Sequence, residues 1–195
     1  PSRGLGDVYK RQQGFRSGTK KPNNGVQMPV VHAFEDPAGG GKEGTPMPPK
    51  VKIYIETDIH GPRARGGKYM YLMEAIRNGK PETRFGSGEG CENENGLVIR
   101  ALCEAMGRLR KNCSVIVITE CSAVRSTLQN DWIRQWQASG WKNAKGKPVS
   151  HREAWEQLSG RMEGQEITAE DGKEHSYKSW MQSQMQREWK GAKGK

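Results

Sequence analysis

DWIRQWQASGWKNAKGKPVSHREAWEQL, residues 131–158, constrains the architecture more tightly than any other part of the chain. Four tryptophans, Trp132, Trp136, Trp141 and Trp155, are interleaved with Arg134, Lys142, Lys145, Lys147 and Arg152. Trp132 and Trp136 lie four apart, so a helix places them on one face. Gly140 stops that helix, Lys147–Pro148 demands extended backbone, and a fresh helix follows. A basic excursion that carries aromatic rings between two helices suits the gripping of a phosphate backbone. The plainer reading is two core helices joined by a solvated loop. Both hold together if Trp132 and Trp136 face the core and the lysines make the contacts.

Upstream of this stretch, VKIYIETD (51–58) alternates, with Val51, Ile53, Ile55 and Thr57 on one face and Lys52, Tyr54, Glu56 and Asp58 on the other, which predicts a strand. GPRARGG (61–67) reads as a turn, and KYMYLMEAI and PETRFGSG as two further short strands of an antiparallel meander. Leu97, Ala101, Leu102, Ala105, Met106 and Leu109 recur at helical spacing between about Asn93 and Leu109. SVIVIT (114–119) is apolar without alternation, as in a strand covered on both faces, and a helix is expected from about Ser122. Beyond the tryptophan stretch come a helix to about Met162, a short strand at EITAE, and a last helix from about His175 to Trp189. In that helix Tyr177, Trp180, Met181, Met185 and Trp189 form a core-facing stripe. The order predicts an α/β fold: a mixed five-stranded sheet, meander plus two further strands, with helices on both faces.

The 195 residues carry a net charge of +10, which favours a polyanionic partner, nucleic acid before membrane. No run approaches the roughly 20 apolar residues of a membrane helix. A secretory leader pattern is also missing, so a cytoplasmic location is expected. Cys91, Cys103, Cys113 and Cys121 include no C-x-x-C pair, so free thiols are expected rather than a zinc site. Residues 1–50, with GGGKEG and PMPP, read as a disordered tail, residues 1–12 as non-native sequence, 51–189 as the domain and 190–195 as a basic tail.

The tryptophan stretch, preceded by VKIYIET, GPRARGG, Asn95 and VIVITECSAVR, resembles the ribonuclease H type 1 family from about Val51 to Gln182. The resemblance implies the ribonuclease H-like fold, a partner that is an RNA–DNA hybrid or duplex, and a basic handle matched by Trp136, Trp141, Lys142 and Lys147, with Lys145 beside them. It also implies RNA-strand hydrolysis with Mg²⁺ (or Mn²⁺), two ions about 3.5–4 Å apart held by four acids. Glu56 falls at the first acid position and Glu120 at the central-strand one, each a glutamate where the family has aspartate. Asp58 is expected to join them as a third carboxylate. The helix acid aligns on Val98, with Glu94 and Glu104 about a turn away and expected to aim elsewhere. The last acid falls near Ser179, where there is no carboxylate. Glu174 precedes that helix, and His175 reads as a surface residue in the place of a shortened family loop. Asn95 matches one of the two asparagines that read the RNA backbone, and Glu94 replaces the other.

Three functions are compatible with these residues. The first is a nuclease working through Glu56, Asp58 and Glu120. The second is a binding module that keeps the grip and has lost the cut. The third is a protein-interaction domain whose basic face serves solubility, and against this stands the pairing of tryptophans with lysines.

Overall fold

The computed structural model describes residues 47–192, with the backbone alone from 188 onward. The expected disordered and non-native segments up to residue 46, the Trp189 side chain and residues 193–195 lie outside that description. The elements are β1 (Lys50–Thr57), β2 (Arg65–Arg77), β3 (Lys80–Glu92), α1 (Glu94–Met106), β4 (Ser114–Thr119), α2 (Ser122–Gln129), α3 (Trp132–Ala138), α4 (Arg152–Met162), β5 (Glu166–Asp171) and α5 (Lys178–Ala192). They form one mixed five-stranded sheet in the order β3-β2-β1-β4-β5. β1 and β3 flank β2 antiparallel, whereas β1–β4 and β4–β5 are parallel. The expected α/β architecture is the one observed. Among the described residues no helix is long and apolar enough to cross a membrane.

The alternation in β1 sorts the core into two layers. Val51, Ile53 and Ile55 join Tyr69, Tyr71, Val115 and Val117 beneath α1, α2 and α4. Tyr54 joins Met70, Leu72, Ile116 and Ile118 beneath Met181 and Met185 of α5. β4 is therefore apolar on both sides because a helical layer covers each face.

β2 and β3 run much longer than expected, since the glycine-rich stretch before Lys68 is not all turn. Gly66 and Gly67 pair in register with Cys91 and Gly90. The hairpin closes through Asn78 (φ 51°) and Gly79 (φ 75°), a two-residue turn whose positive φ values match strand twist. Opposite Tyr71 and Tyr69, β3 carries Gly86 and Gly88. A Cβ at either glycine would collide with the facing tyrosine ring, so the two rings fill the space of the missing side chains.

The four cysteines are free, Cys91 exposed on β3 and the others buried. Burial pushes the Cys103 thiol up to about 11 and raises those of Cys113 and Cys121. A raised pKa lowers the thiolate fraction near neutrality, and burial blocks access. Iodoacetamide at pH 8 should therefore add one carbamidomethyl group, at Cys91, to the native protein and four in denaturant. Rapid native labelling at a second cysteine would contradict this packing.

Candidate functional site

Two features stand beside each other at the N-terminus of α1: a cleft of carboxylates and the base of a basic arm. Asn93 caps α1, its Oδ1 accepting from Gly96 N–H at 3.0 Å, and so fixes where Glu94 and Asn95 lie. One small cavity is lined by Glu56 at the end of β1, Glu94 of α1 and Glu120 after β4, together with Ile55, Thr57, His60, Thr119 and Cys121. Glu94 does not aim elsewhere, against expectation. Helix α1 begins at Glu94, and the first-turn carboxylate reaches back to accept from Gly61 N–H at 2.8 Å, with His60 Nδ1 at 3.5 Å. Val98 is buried in the core, and Glu104 accepts from the Tyr69 hydroxyl, away from the cavity.

Each acid already has a donor. Glu56 is only 5% exposed; its Oε1 lies 3.1 Å from His175 Nε2 and its Oε2 accepts from Gln182 Nε2 at 3.1 Å. Glu120 accepts from the Lys178 ammonium, which also donates to the Lys173 carbonyl. The hydrogen bond to Glu120 holds the Lys178 ammonium above its ordinary pKa; burial opposes this, and Glu56 and Glu174 reinforce it. Asp58 does not join Glu56 as expected. β1 ends at Thr57, and Asp58 instead accepts from Lys68 N–H at 2.6 Å, lining a neighbouring groove with His60, Gln182 and Met185. Nor is His175 a surface residue. Its side chain is 5% exposed, with the ring 4.9 Å from that of Tyr54.

Sequence reasoning misses His175, Lys178 and Gln182 as a set. Their spacing of three and four is the available signal, since it puts all three on the side of α5 and its entry turn that faces the strand ends.

The arm comprises α3, the loop after it and the start of α4. Trp141 (φ 61°) donates its N–H to Trp136 O at 2.6 Å and accepts from Val149 N–H at 3.0 Å, which pins the two ends of the loop together. At the tip, Asn143 Oδ1 accepts from Lys145 N–H at 2.9 Å and Lys147 N–H at 3.1 Å, and Lys142 bridges to Pro148. Lys142, Lys145 and Lys147 are all exposed. Two expectations about the rings need correction. Trp141 is buried in the core, so its indole anchors the arm and offers no face to a partner. Trp132 is 39% exposed, because α3 turns Ile133 inward instead. Trp136 is half-buried, with ring centroids 6.2 Å from Trp132 and 5.7 Å from Trp155. Asn95 is also tied inward, its Oδ1 accepting from Cys121 Sγ at 3.1 Å. The arm's exit meets the cleft's helix: a Cβ on Gly96 would lie 2.9 Å from His151 Cε1.

The sequence profile of RNase H matches residues 51–182, a span that takes in both the acid cleft and the arm. The chain belongs to the RNase H family. It is similar to a ribonuclease H of Nitratidesulfovibrio vulgaris, 36% identical over 77 residues, a match covering 40% of this chain and about half (49%) of that protein. It is also similar to a ribonuclease H of Chromobacterium violaceum, 34% identical over 109 residues, covering 56% of this chain and 71% of that one. Among solved structures it resembles a type 1 RNase H with the type 2 active-site motif, with a TM-score of 0.60 at 18% identity, covering 76% of this chain and 75% of that chain; the likeness shows the fold.

Enzymes of the RNase H family use divalent metal ions, which need carboxylate oxygens free to coordinate them. In this RNase H domain both oxygens of Glu56 and one of Glu120 are engaged by side-chain nitrogens, and Glu94 is held by Gly61 N–H. Among the described residues no three His, Cys, Asp or Glu side chains are grouped closely enough to hold a metal ion. The residues as placed do not fit a pair of divalent ions.

Proposed function

We propose that this RNase H domain grips RNA–DNA hybrid, or a duplex of similar shape, through its basic arm, and does not cut it. The observation that carries this reading is the contrast between the two features at the α1 N-terminus. The arm presents Lys142, Lys145 and Lys147 from a hydrogen-bonded tip, while the acids beside it are bound internally. Ordering the tip in advance spares binding the entropy of ordering it later. The match to proteins named ribonuclease H supports a nucleic-acid duplex as the partner.

The wild-type chain should bind hybrid with strong salt dependence and little sequence preference. Replacing Lys142, Lys145 and Lys147 together by alanine should flatten the plot of log affinity against log salt by roughly 0.9 per lost phosphate contact. An unchanged slope would overturn the assignment of the arm.

A second reading, a weak nuclease, has one observation in its favour: Glu56, Glu94 and Glu120 do line a common cavity. Incubating labelled hybrid with Mg²⁺ or Mn²⁺ separates the two readings. We expect no cleavage above the EDTA blank. Cleavage abolished by Glu120→Gln would establish the second reading in place of the first.

A further inference from the structure

We infer that the Lys178 ammonium is the resident cation of the acid cleft: it neutralises Glu120 in place of a divalent ion and leaves a donor for a nucleic-acid phosphate. The phosphate part of this inference rests on the proposed hybrid binding; the cation part does not.

Lys178 opens α5, one turn after His175 and one turn before Gln182, so a single helix face delivers a histidine, an ammonium and an amide to the strand ends. The ammonium is placed by two acceptors from different segments, Glu120 Oε1 after β4 and the Lys173 carbonyl after β5. An ammonium has three donors. The Lys178 side chain keeps 20% of its surface exposed and Glu120 33%, so the pair stands at the mouth of the cleft, where a phosphate oxygen can take the remaining donor. Glu56, deeper and 5% exposed, is hydrogen-bonded by the other two members of the face.

This arrangement has an electrostatic consequence. A fixed unit charge on Glu120 opposes a double charge seeking the same carboxylate. At about 4 Å, even screened as in water, the repulsion weakens ion binding by roughly 30-fold. The ammonium also reduces the repulsion that bare carboxylates would exert on a phosphate backbone. A lysine holds this place as a compact point charge, with no need for the flat fork of an arginine.

The test is a titration of Mn²⁺ into the full chain, followed by calorimetry or by the electron paramagnetic resonance of free Mn²⁺, with wild type, Lys178→Gln and Lys178→Arg. Wild type and Lys178→Arg should show no saturable site in the low-millimolar range. Lys178→Gln should bind Mn²⁺ roughly 30-fold more tightly than wild type, which brings a saturable site into that range. Hybrid affinity of the wild type should be no lower in EDTA than in Mg²⁺, whereas that of Lys178→Gln should fall in EDTA and recover with Mg²⁺. Wild type taking Mn²⁺ as tightly as Lys178→Gln would overturn the inference, and so would wild-type hybrid binding that collapses in EDTA. Circular dichroism checks each variant; should Lys178→Gln not fold, a saturable Mn²⁺ site in the wild type still overturns the inference, and its absence supports it. A chain that ignores hybrid in every buffer would overturn the proposed function, and the Mn²⁺ titration would still decide the role of the ammonium.

Discussion

Trp155→Ala should lower folding stability by about 3–5 kcal/mol, the range for truncating a buried aromatic side chain, and free the basic arm from the domain. Trp155 is 4% exposed on α4, and its ring stands edge-on to Trp136 with 5.7 Å between centroids. Buried Trp141 and Val149 belong to the same core cluster, so the indole joins the arm's two ends to α1 and the sheet. The cost combines lost apolar burial, a cavity that the surrounding helices fill only in part, and an aromatic pair worth about 0.5–1.5 kcal/mol. Trp132→Ala is the matching control: at 39% exposure and on the outer side of α3, it should cost under about 1 kcal/mol. Urea unfolding followed by circular dichroism measures both. Equal losses for the two variants would mean that the arm is not anchored through Trp155. Hybrid affinity should follow stability, falling with Trp155→Ala even though that side chain is too buried to touch a partner.

The fold is legible in the sequence because its signals are local. Alternation in VKIYIET, the apolar run SVIVIT and the helical spacing after Asn93 each report which faces are covered, and the observed core layers follow them. Lengths are less legible. β2 and β3 extend through glycines that look like turn chemistry, because pairing across the hairpin and the filling of Gly86 and Gly88 by tyrosine rings are set by the partner strand. For the site, the strand-end positions of Glu56 and Glu120 are readable from register, and both line the cavity. What surrounds them is not. The inward reach of Glu94 depends on the Gly61 loop, the burial of His175 on Tyr54, and the capture of Glu120 on a lysine that is 58 residues away in sequence. Tertiary contacts of this kind leave only a faint trace in sequence, here the three-and-four spacing of His175, Lys178 and Gln182. The tryptophans carry the same lesson: two of them exchange their expected places, Trp132 outside and Trp141 inside, since a helix of only seven residues turns one face inward and gives it to Ile133.

Gly172→Ala should destabilise the protein by about 1–3 kcal/mol, the range for overpacking, and loosen the segment that places Lys178. A Cβ on Gly172 would lie 2.7 Å from the Thr119 carbonyl carbon and Cα and 2.8 Å from its nitrogen. These are main-chain atoms of β4, so no rotamer change relieves the contact; the strand ends must separate. Separation stretches the bond from Gly172 N–H to Thr119 O, now 3.1 Å, and carries with it residues 173–177, which include the carbonyl that Lys178 holds and the His175 ring on Glu56. Gly160→Ala supplies the opposite case. Gly160 sits inside α4, and a Cβ there would meet nothing within 4 Å, so alanine should stabilise by up to about 1 kcal/mol through helix propensity alone. Thermal unfolding should therefore shift in opposite directions for the two glycine variants. Native-state amide exchange should quicken across 173–182 in Gly172→Ala beyond its global loss of stability. Melting temperatures that move together would refute the steric account. Unchanged local exchange would mean that the approach of Gly172 to Thr119 is not what seats Lys178 against Glu120.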